Sequence, residues 1–188
     1  MEKDLVINIV NEYLKVYNNE HEKIKPLINY LSKNSNTQIC DWNNVNGHLT
    51  AGGFIYASDT RHFLVLWHKD LEMYLYPGGH CEANQTSPLD TAKAEIVEET
   101  GLTQFKVVNA TSNPLIPLDI DIHEIPYNAR VNMPSHYHFD FRYLFVVDNQ
   151  SNIVIDENEI SNYKWINEEE LTSDKNYGKM IEKIKKFI

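Results

Sequence analysis

The first part of the chain carries a helical pattern. Leu5, Ile9, Val10, Tyr13, Leu14 and Tyr17 recur at helical spacing. Pro26 suits a first helical position and predicts a second helix, with Leu27, Ile28, Tyr30 and Leu31 on its buried side. The two form a helical hairpin, and a polar loop from Asn34 to Asn46 follows. The pattern changes near His48. Leu49 to Ala57 reads as a strand, with Gly52-Gly53 marking a bulge or a close approach. Ser58 to Arg61 is a turn, Phe63 to His68 an unbroken apolar run and so a buried strand, and Leu71 to Tyr76 a short strand. Strand patterns return at Phe105–Ala110, Ile116–Ile125, Tyr137–Val147, Ile153–Ile155 and Tyr163–Ile166, with a loop from Pro126 to Pro134. Asp174 to Ile188 reads as a lysine-rich amphipathic helix. Strands with few helices between them predict an α+β class. The expected division is an N-terminal helical segment, 1–46, packed on a main domain, 47–188.

Pro77 to Leu102 breaks both patterns. Pro77-Gly78-Gly79 predicts a tight turn with left-handed backbone, leading through His80-Cys81-Glu82 into a polar run. A helix with both ends marked comes next. Ser87 is a good N-cap, Pro88 fits the first position, Asp90 completes a capping box, and Gly101 is placed to stop the helix. Glu95, Glu98 and Glu99 then share one face. Carboxylates so placed repel each other by a few tenths of a kcal/mol per pair. A solvated acidic face is the plain explanation. A divalent cation is the other, because Mg²⁺ takes one or two carboxylates together with substrate phosphates. The glycine pair just before the helix lets backbone approach such an ion, and tips the balance toward the metal.

The stretch resembles the Nudix box of the Nudix hydrolase superfamily, whose closing run is Arg-Glu-aliphatic-x-Glu-Glu-x-Gly-aliphatic. Glu95-Ile96-Val97-Glu98-Glu99-Thr100-Gly101-Leu102 matches every fixed position after the Arg, and Gly79 matches the opening glycine. Gln85 stands where the box has its first Glu, one extra residue follows it, and Ala94 replaces the Arg, with Lys93 just before. The resemblance implies an αβα sandwich around a mixed sheet, extended here by the N-terminal hairpin and a C-terminal helix. It implies a Mg²⁺- or Mn²⁺-dependent hydrolase that cleaves a diphosphate linkage in a nucleoside diphosphate joined to another group, or a related organic pyrophosphate. Glu95, Glu98 and Glu99, with a Gly79 carbonyl, would hold the metal, and Glu98 or Glu95 would serve catalysis. Glu82, Gln85 and Lys93 would stand behind them. Asp156-Glu157-Asn158-Glu159-Ile160 before Tyr163-Lys164-Trp165-Ile166 looks like an acidic-then-tryptophan segment of the family. The competing reading is a non-catalytic Nudix domain that binds a nucleotide metabolite as a sensor. The superfamily's isopentenyl-diphosphate isomerases are the third, but no match to their catalytic cysteine segment surrounds Cys81.

His136-Tyr137-His138-Phe139-Asp140-Phe141-Arg142 is a second constellation. Strand alternation puts His136, His138, Asp140 and Arg142 on one face and the aromatic residues on the other. The polar row is expected to look across a cleft at the glutamate helix and to hold substrate. Arg142 is its best phosphate ligand, with the histidines donating when protonated. A formal net charge of -10 disfavours DNA binding. Two cysteines, Cys40 and Cys81, fit a reducing cytoplasm. No apolar run approaches membrane-spanning length, and the sequence leaves a homodimer open.

Overall fold

Two long strands set the architecture. The computed structural model describes residues 1–127, 129, 132–150, 153–173 and 177–188. In chain order come α1 (Lys3–Val16), α2 (His21–Lys33), β1 (His48–Ala57), β2 (His62–His68), β3 (Met73–Leu75), β4 (Gly78–His80) and α3 (Pro88–Thr100). β5 (Lys106–Val108), β6 (Asp119–Ile125), β7 (His136–Val147), β8 (Ile160–Asn167), α4 (Glu168–Ser173) and α5 (Gly178–Ile184) complete the order. β1 and β7 run parallel, from His48 opposite His138 to Ala57 opposite Val147. The outer edge of each is then shared between two partners. β1 pairs antiparallel with β4 at Thr50–Gly52 and with β2 at Ile55–Ala57. β7 pairs with β6 along His136–Arg142 and with β5 along Leu144–Val146. β3 and β8 both pair with β2.

Alternation along the central pair builds two cores. Leu49, Ala51 and Ile55 of β1 join Phe139, Phe141, Tyr143 and Phe145 of β7 in the first, with the apolar faces of α1, α2 and α3. Phe54, Tyr56 and Leu144 point the other way, into a core with Leu171 of α4 and Met180, Ile181 and Ile184 of α5. Helices therefore cover both faces of a mixed sheet, the expected αβα arrangement. The glycine pair on β1 is a close approach rather than a bulge, since the β1–β7 register is unbroken. A Cβ at Gly53 would overlap the Phe145 ring, and one at Gly52 the Pro77 carbonyl.

Several local expectations differ. α2 begins at His21, directly after a 3₁₀ turn at Asn18–Glu20, so Pro26 lies inside it. The proline is exposed, and water can serve the Glu22 carbonyl that loses its helical donor. Ile24, Leu27 and Leu31 form the buried stripe, and Ile28 lies off it at 41 % exposure. Gly78 and Gly79 form strand β4 rather than a turn, and neither has positive φ. Ile153–Ile155 is not a strand. The segment straps the end of α3 instead, with Val154 N–H donating to the Thr100 carbonyl at 2.9 Å. The expected helix from Asp174 resolves into α5, after a separate α4. Asp174–Asn176 lie outside the described residues, as do Asn128, Arg130 and Val131 of the expected loop.

A buried carboxylate joins the ends of the chain to the sheet. Asp119, at the start of β6, accepts from Lys183 of α5 at 2.6 Å and from Lys23 of α2 at 2.9 Å. Tyr13 of α1 donates to it at 3.4 Å, and the Arg142 guanidinium stands 3.8 Å away. Desolvation raises the Asp119 carboxyl, but Lys183 and Lys23 outweigh it and hold it below its ordinary value. Asp119→Ala would leave Lys183 with Glu20 and Arg142 with Asp121 and Asp140, so the expected cost is that of charge-assisted hydrogen bonds rather than of a stranded charge, about 2 kcal/mol. The contribution is complete above about pH 4 and is lost as pH falls through the folded pKa. Urea midpoints of the two proteins should differ near neutral pH and converge in acid. An unchanged midpoint at neutral pH would contradict the latch.

Candidate active site

Local sequence fixes α3 before any tertiary contact. The Ser87 hydroxyl accepts from the Asp90 N–H at 3.3 Å, and the Asp90 carboxylate accepts from the Ser87 N–H at 3.1 Å, closing the capping box. Pro88 opens the helix, and Gly101 ends it at φ 69°. Leu89, Ala92 and Ile96 are buried in the first core, which sets the helix rotation. Glu99 is left 6 % exposed, Glu95 half-buried, and Glu98 in solvent.

β4 closes over the inward pair. A Cβ at Gly79 would overlap the Glu95 carboxylate, so any side chain there would push that carboxylate aside. Burial raises Glu95 to about 7, with Glu98, Glu159 and Glu82 adding to the rise. Burial raises Glu99 to about 8, helped by Glu95, Glu159 and Asp156 and opposed by a backbone hydrogen bond from Gly78. The charges acting on this pair are all carboxylates. Convergent oxygen donors with unrelieved negative charge fit a hard divalent cation. Glu159 and Asp156 were not among the expected site residues. Their signal was the acidic run before β8, and only the fold brings it to α3.

The residues expected behind the glutamates divide. Glu82 is exposed and acts on Glu95 through its charge. Gln85 folds back on its own loop, where its side-chain oxygen accepts from the Glu82 N–H at 2.9 Å and from the Thr91 hydroxyl. Lys93 exerts its charge on Asp90, one turn back. The Cys81 thiol is buried, and that burial pushes its pKa up, the opposite of an activated nucleophile.

The polar row of β7 differs from expectation in direction. Phe139 and Phe141 share the core with α3, so His136, His138, Asp140 and Arg142 project from the other side of the sheet. Strand alternation was read correctly; which face meets the helix was not. Arg142 is 7 % exposed and held by three carboxylates. Its Nε donates to Asp140 at 3.0 Å and its Nη2 to Asp121 at 2.7 Å, with Asp119 beyond. Desolvation opposes its charge, but Tyr76, Asp140 and Asp121 raise its pKa overall. A guanidinium so occupied is a positioning group, not a free phosphate fork. Asp140 also accepts from Thr50 at 3.1 Å and from the Tyr76 hydroxyl.

The histidines form a cluster. His48 Nε2 lies 3.0 Å from His138 Nε2, and the rings of His80 and His136 pack around them. Burial, then His48 and His80, lowers His138 to about 2. Burial, then His80 and His136, lowers His48 to about 3. The expectation that His138 donates as a protonated group fails for this reason. In the sequence His48 and His80 sit near loop ends that could face a cleft but look isolated; the meeting of His48 with His138 depends on the β1–β7 register.

The raised glutamates yield a test with a definite sign. Their neutral forms suit the metal-free fold, so their contribution to stability is complete below the unfolded carboxyl value of about 4.3 and is lost as pH rises through the folded values. The buried neutral histidines His48 and His138 act in the opposite sense below about pH 6.5, so in chelator the fall in melting temperature should be read between about pH 7 and about pH 9. Mg²⁺ should reverse most of the fall by stabilising the ionised pair. A flat profile, unchanged by Mg²⁺, would contradict the electrostatics described.

Comparison with known proteins agrees with this geometry. The family model described as NUDIX domain matches residues 47–187. A "Probable DHNTP pyrophosphohydrolase" of Lactococcus lactis subsp. cremoris (strain MG1363) is 32% identical over 150 residues, 80% of this chain and 82% of that protein. A NUDIX-family hydrolase of Clostridium perfringens superposes with a TM-score of 0.58 at 22% identity, covering 75% of this chain and 98% of that one. The dihydroneopterin triphosphate pyrophosphohydrolase of E. coli superposes with a TM-score of 0.55 at 17% identity, covering 74% and 94%. Among the described residues no helix is long and apolar enough to cross a membrane. The match over residues 47–187 and the Lactococcus relative show the family: this chain belongs to the Nudix superfamily, and it is a Nudix-type pyrophosphohydrolase.

Proposed function

We propose that Glu95, Glu98 and Glu99, with the Gly79 carbonyl, form the divalent-cation centre, and that the chain there cleaves the diphosphate linkage of an organic triphosphate or a nucleoside diphosphate derivative. One observation carries this reading: two carboxylates pressed together under a glycine strand, raised to about 7 and about 8 by burial and their acidic neighbours. A bound Mg²⁺ or Mn²⁺ would neutralise charge on the phosphate oxygens and make the attacking water more acidic. Glu95 and Glu99 are the inward ligands. Glu98 reaches solvent, which suits it to accept the proton of the attacking water. Gln85 brings no charge, so Glu82 and Glu159 supply the acidic rim. Arg142 and Asp140 hold β6 and β7 in place rather than contact phosphate. The relation to the Lactococcus protein makes dihydroneopterin triphosphate the first substrate to try. Free thiols at Cys40 and Cys81 fit a reducing cytoplasm.

The test compares dihydroneopterin triphosphate, nucleoside triphosphates, dinucleoside polyphosphates and ADP-ribose, reading pyrophosphate and phosphate release. Turnover on at least one should vanish in chelator and return with Mg²⁺ or Mn²⁺. Glu98→Gln should lose about 10²-fold or more in turnover at nearly unchanged melting temperature. Gly79→Ala should lose about 10²-fold by displacing Glu95. Tight nucleotide binding without turnover would favour the sensor, and normal turnover in both variants would remove α3 from the chemistry.

A further inference from the structure

We propose that His48, His136 and His138 bind a transition-metal ion of the zinc class, at a centre separate from the glutamates. A ligand nitrogen from each lies within 4.8 Å of the other two. His48 and His138 are register partners on β1 and β7, and His136 follows on the same face two residues along. The three therefore stand at the paired starts of the two central strands. Their separation suits a small ion. Ligands about 2.1 Å from a tetrahedral zinc stand about 3.4 Å apart, and His48 and His138 already present their Nε2 atoms at 3.0 Å.

The surrounding hydrogen bonds orient the rings as those around metal sites do. The Pro134 carbonyl accepts from His136 Nδ1–H at 2.8 Å, which leaves the lone pair on Nε2. His123 is fixed the same way by Asp121, at 2.9 Å, and its ring backs His138 at 5.6 Å. A simple hydrogen bond between His48 and His138 is the plain alternative, but it joins two of the three rings, whereas a metal ion takes a nitrogen from each. His80 closes the group from β4, its ring centred 4.8 Å from His48 and 5.4 Å from His138. Three imidazoles with a fourth position at the rim are a borderline-soft nitrogen set, suited to Zn²⁺ or Co²⁺ and poorly suited to Mg²⁺. The glutamates offer the reverse. Side-chain alternation places the two sets on opposite faces of β1 and β7, so this chain would sort two kinds of cation by donor chemistry. The histidine-bound ion would tie the start of β1 to the start of β7.

Co²⁺ separates the two centres in one experiment. In a tetrahedral nitrogen-rich site it absorbs intensely in the visible range, whereas in a site of carboxylates and water it absorbs weakly. Titration of the full chain should give the intense spectrum at one equivalent, and Zn²⁺ should abolish it. Glu98→Gln and Glu99→Gln should keep it, and His48→Gln and His138→Asn should lose it. Because the buried variants can misfold, the unmodified protein supplies a second measurement. Long-range ¹H–¹⁵N spectra of its histidine rings should show three rings, those of His48, His136 and His138, shifting on Zn²⁺ addition. A weak spectrum alone, an intense one retained in both histidine variants, or shifts confined to rings outside the cluster such as His21 and His62 would each overturn the proposal.

Discussion

The parallel pairing of β1 with β7 is the constraint on which everything else in the molecule rests. Parallel strands expose no face to water in this fold; each must be covered twice. Long runs of buried residues on both strands meet that demand. Two glycines on β1 let the pair and its neighbours approach more closely than side chains would allow. That closeness brings β4 against α3. The position of the glutamates is thus a consequence of backbone separation in the sheet, and not of the helix alone.

Charge is distributed unevenly across the sheet. On the α3 side, carboxylates gather with carboxylates. On the other, the acidic groups of β6 and β7 are matched by Arg142, Lys23 and Lys183. The second arrangement is self-sufficient and holds structure together. The first carries the raised carboxyls of Glu95 and Glu99, where the divalent cation is proposed to bind.

Much of this was legible in the sequence, for local reasons. Ser87, Pro88, Asp90 and Gly101 act within a turn of themselves, so the helix they bound could be read residue by residue. Alternation on β7 was equally legible, because pleating is a property of one strand. What the sequence could not carry was long range. The face of β7 turned toward α3, the three carboxylates around Arg142, the arrival of Glu159 beside Glu99 and the meeting of His48 with His138 all depend on which strands become neighbours. Pro26 misled for a different reason. A proline is tolerated inside a helix when the bond it removes faces water, and the sequence does not say which face that is. Ile153–Ile155 carried strand-like residues to the end of α3, where Val154 N–H bonds the Thr100 carbonyl instead of a strand.

Asp119 also imposes an order on folding. Its partners come from α1, α2 and α5, elements made before and after all eight described strands. During synthesis the helical hairpin emerges first and finds no sheet to dock on. The sheet needs β7 before β1 has its parallel partner, and Asp119 needs Lys183 before its charge is fully matched. The contacts that close the molecule thus span nearly its whole sequence. Such non-local closure slows folding, and the amphipathic hairpin must stay soluble in the meantime on the strength of its charged outer face.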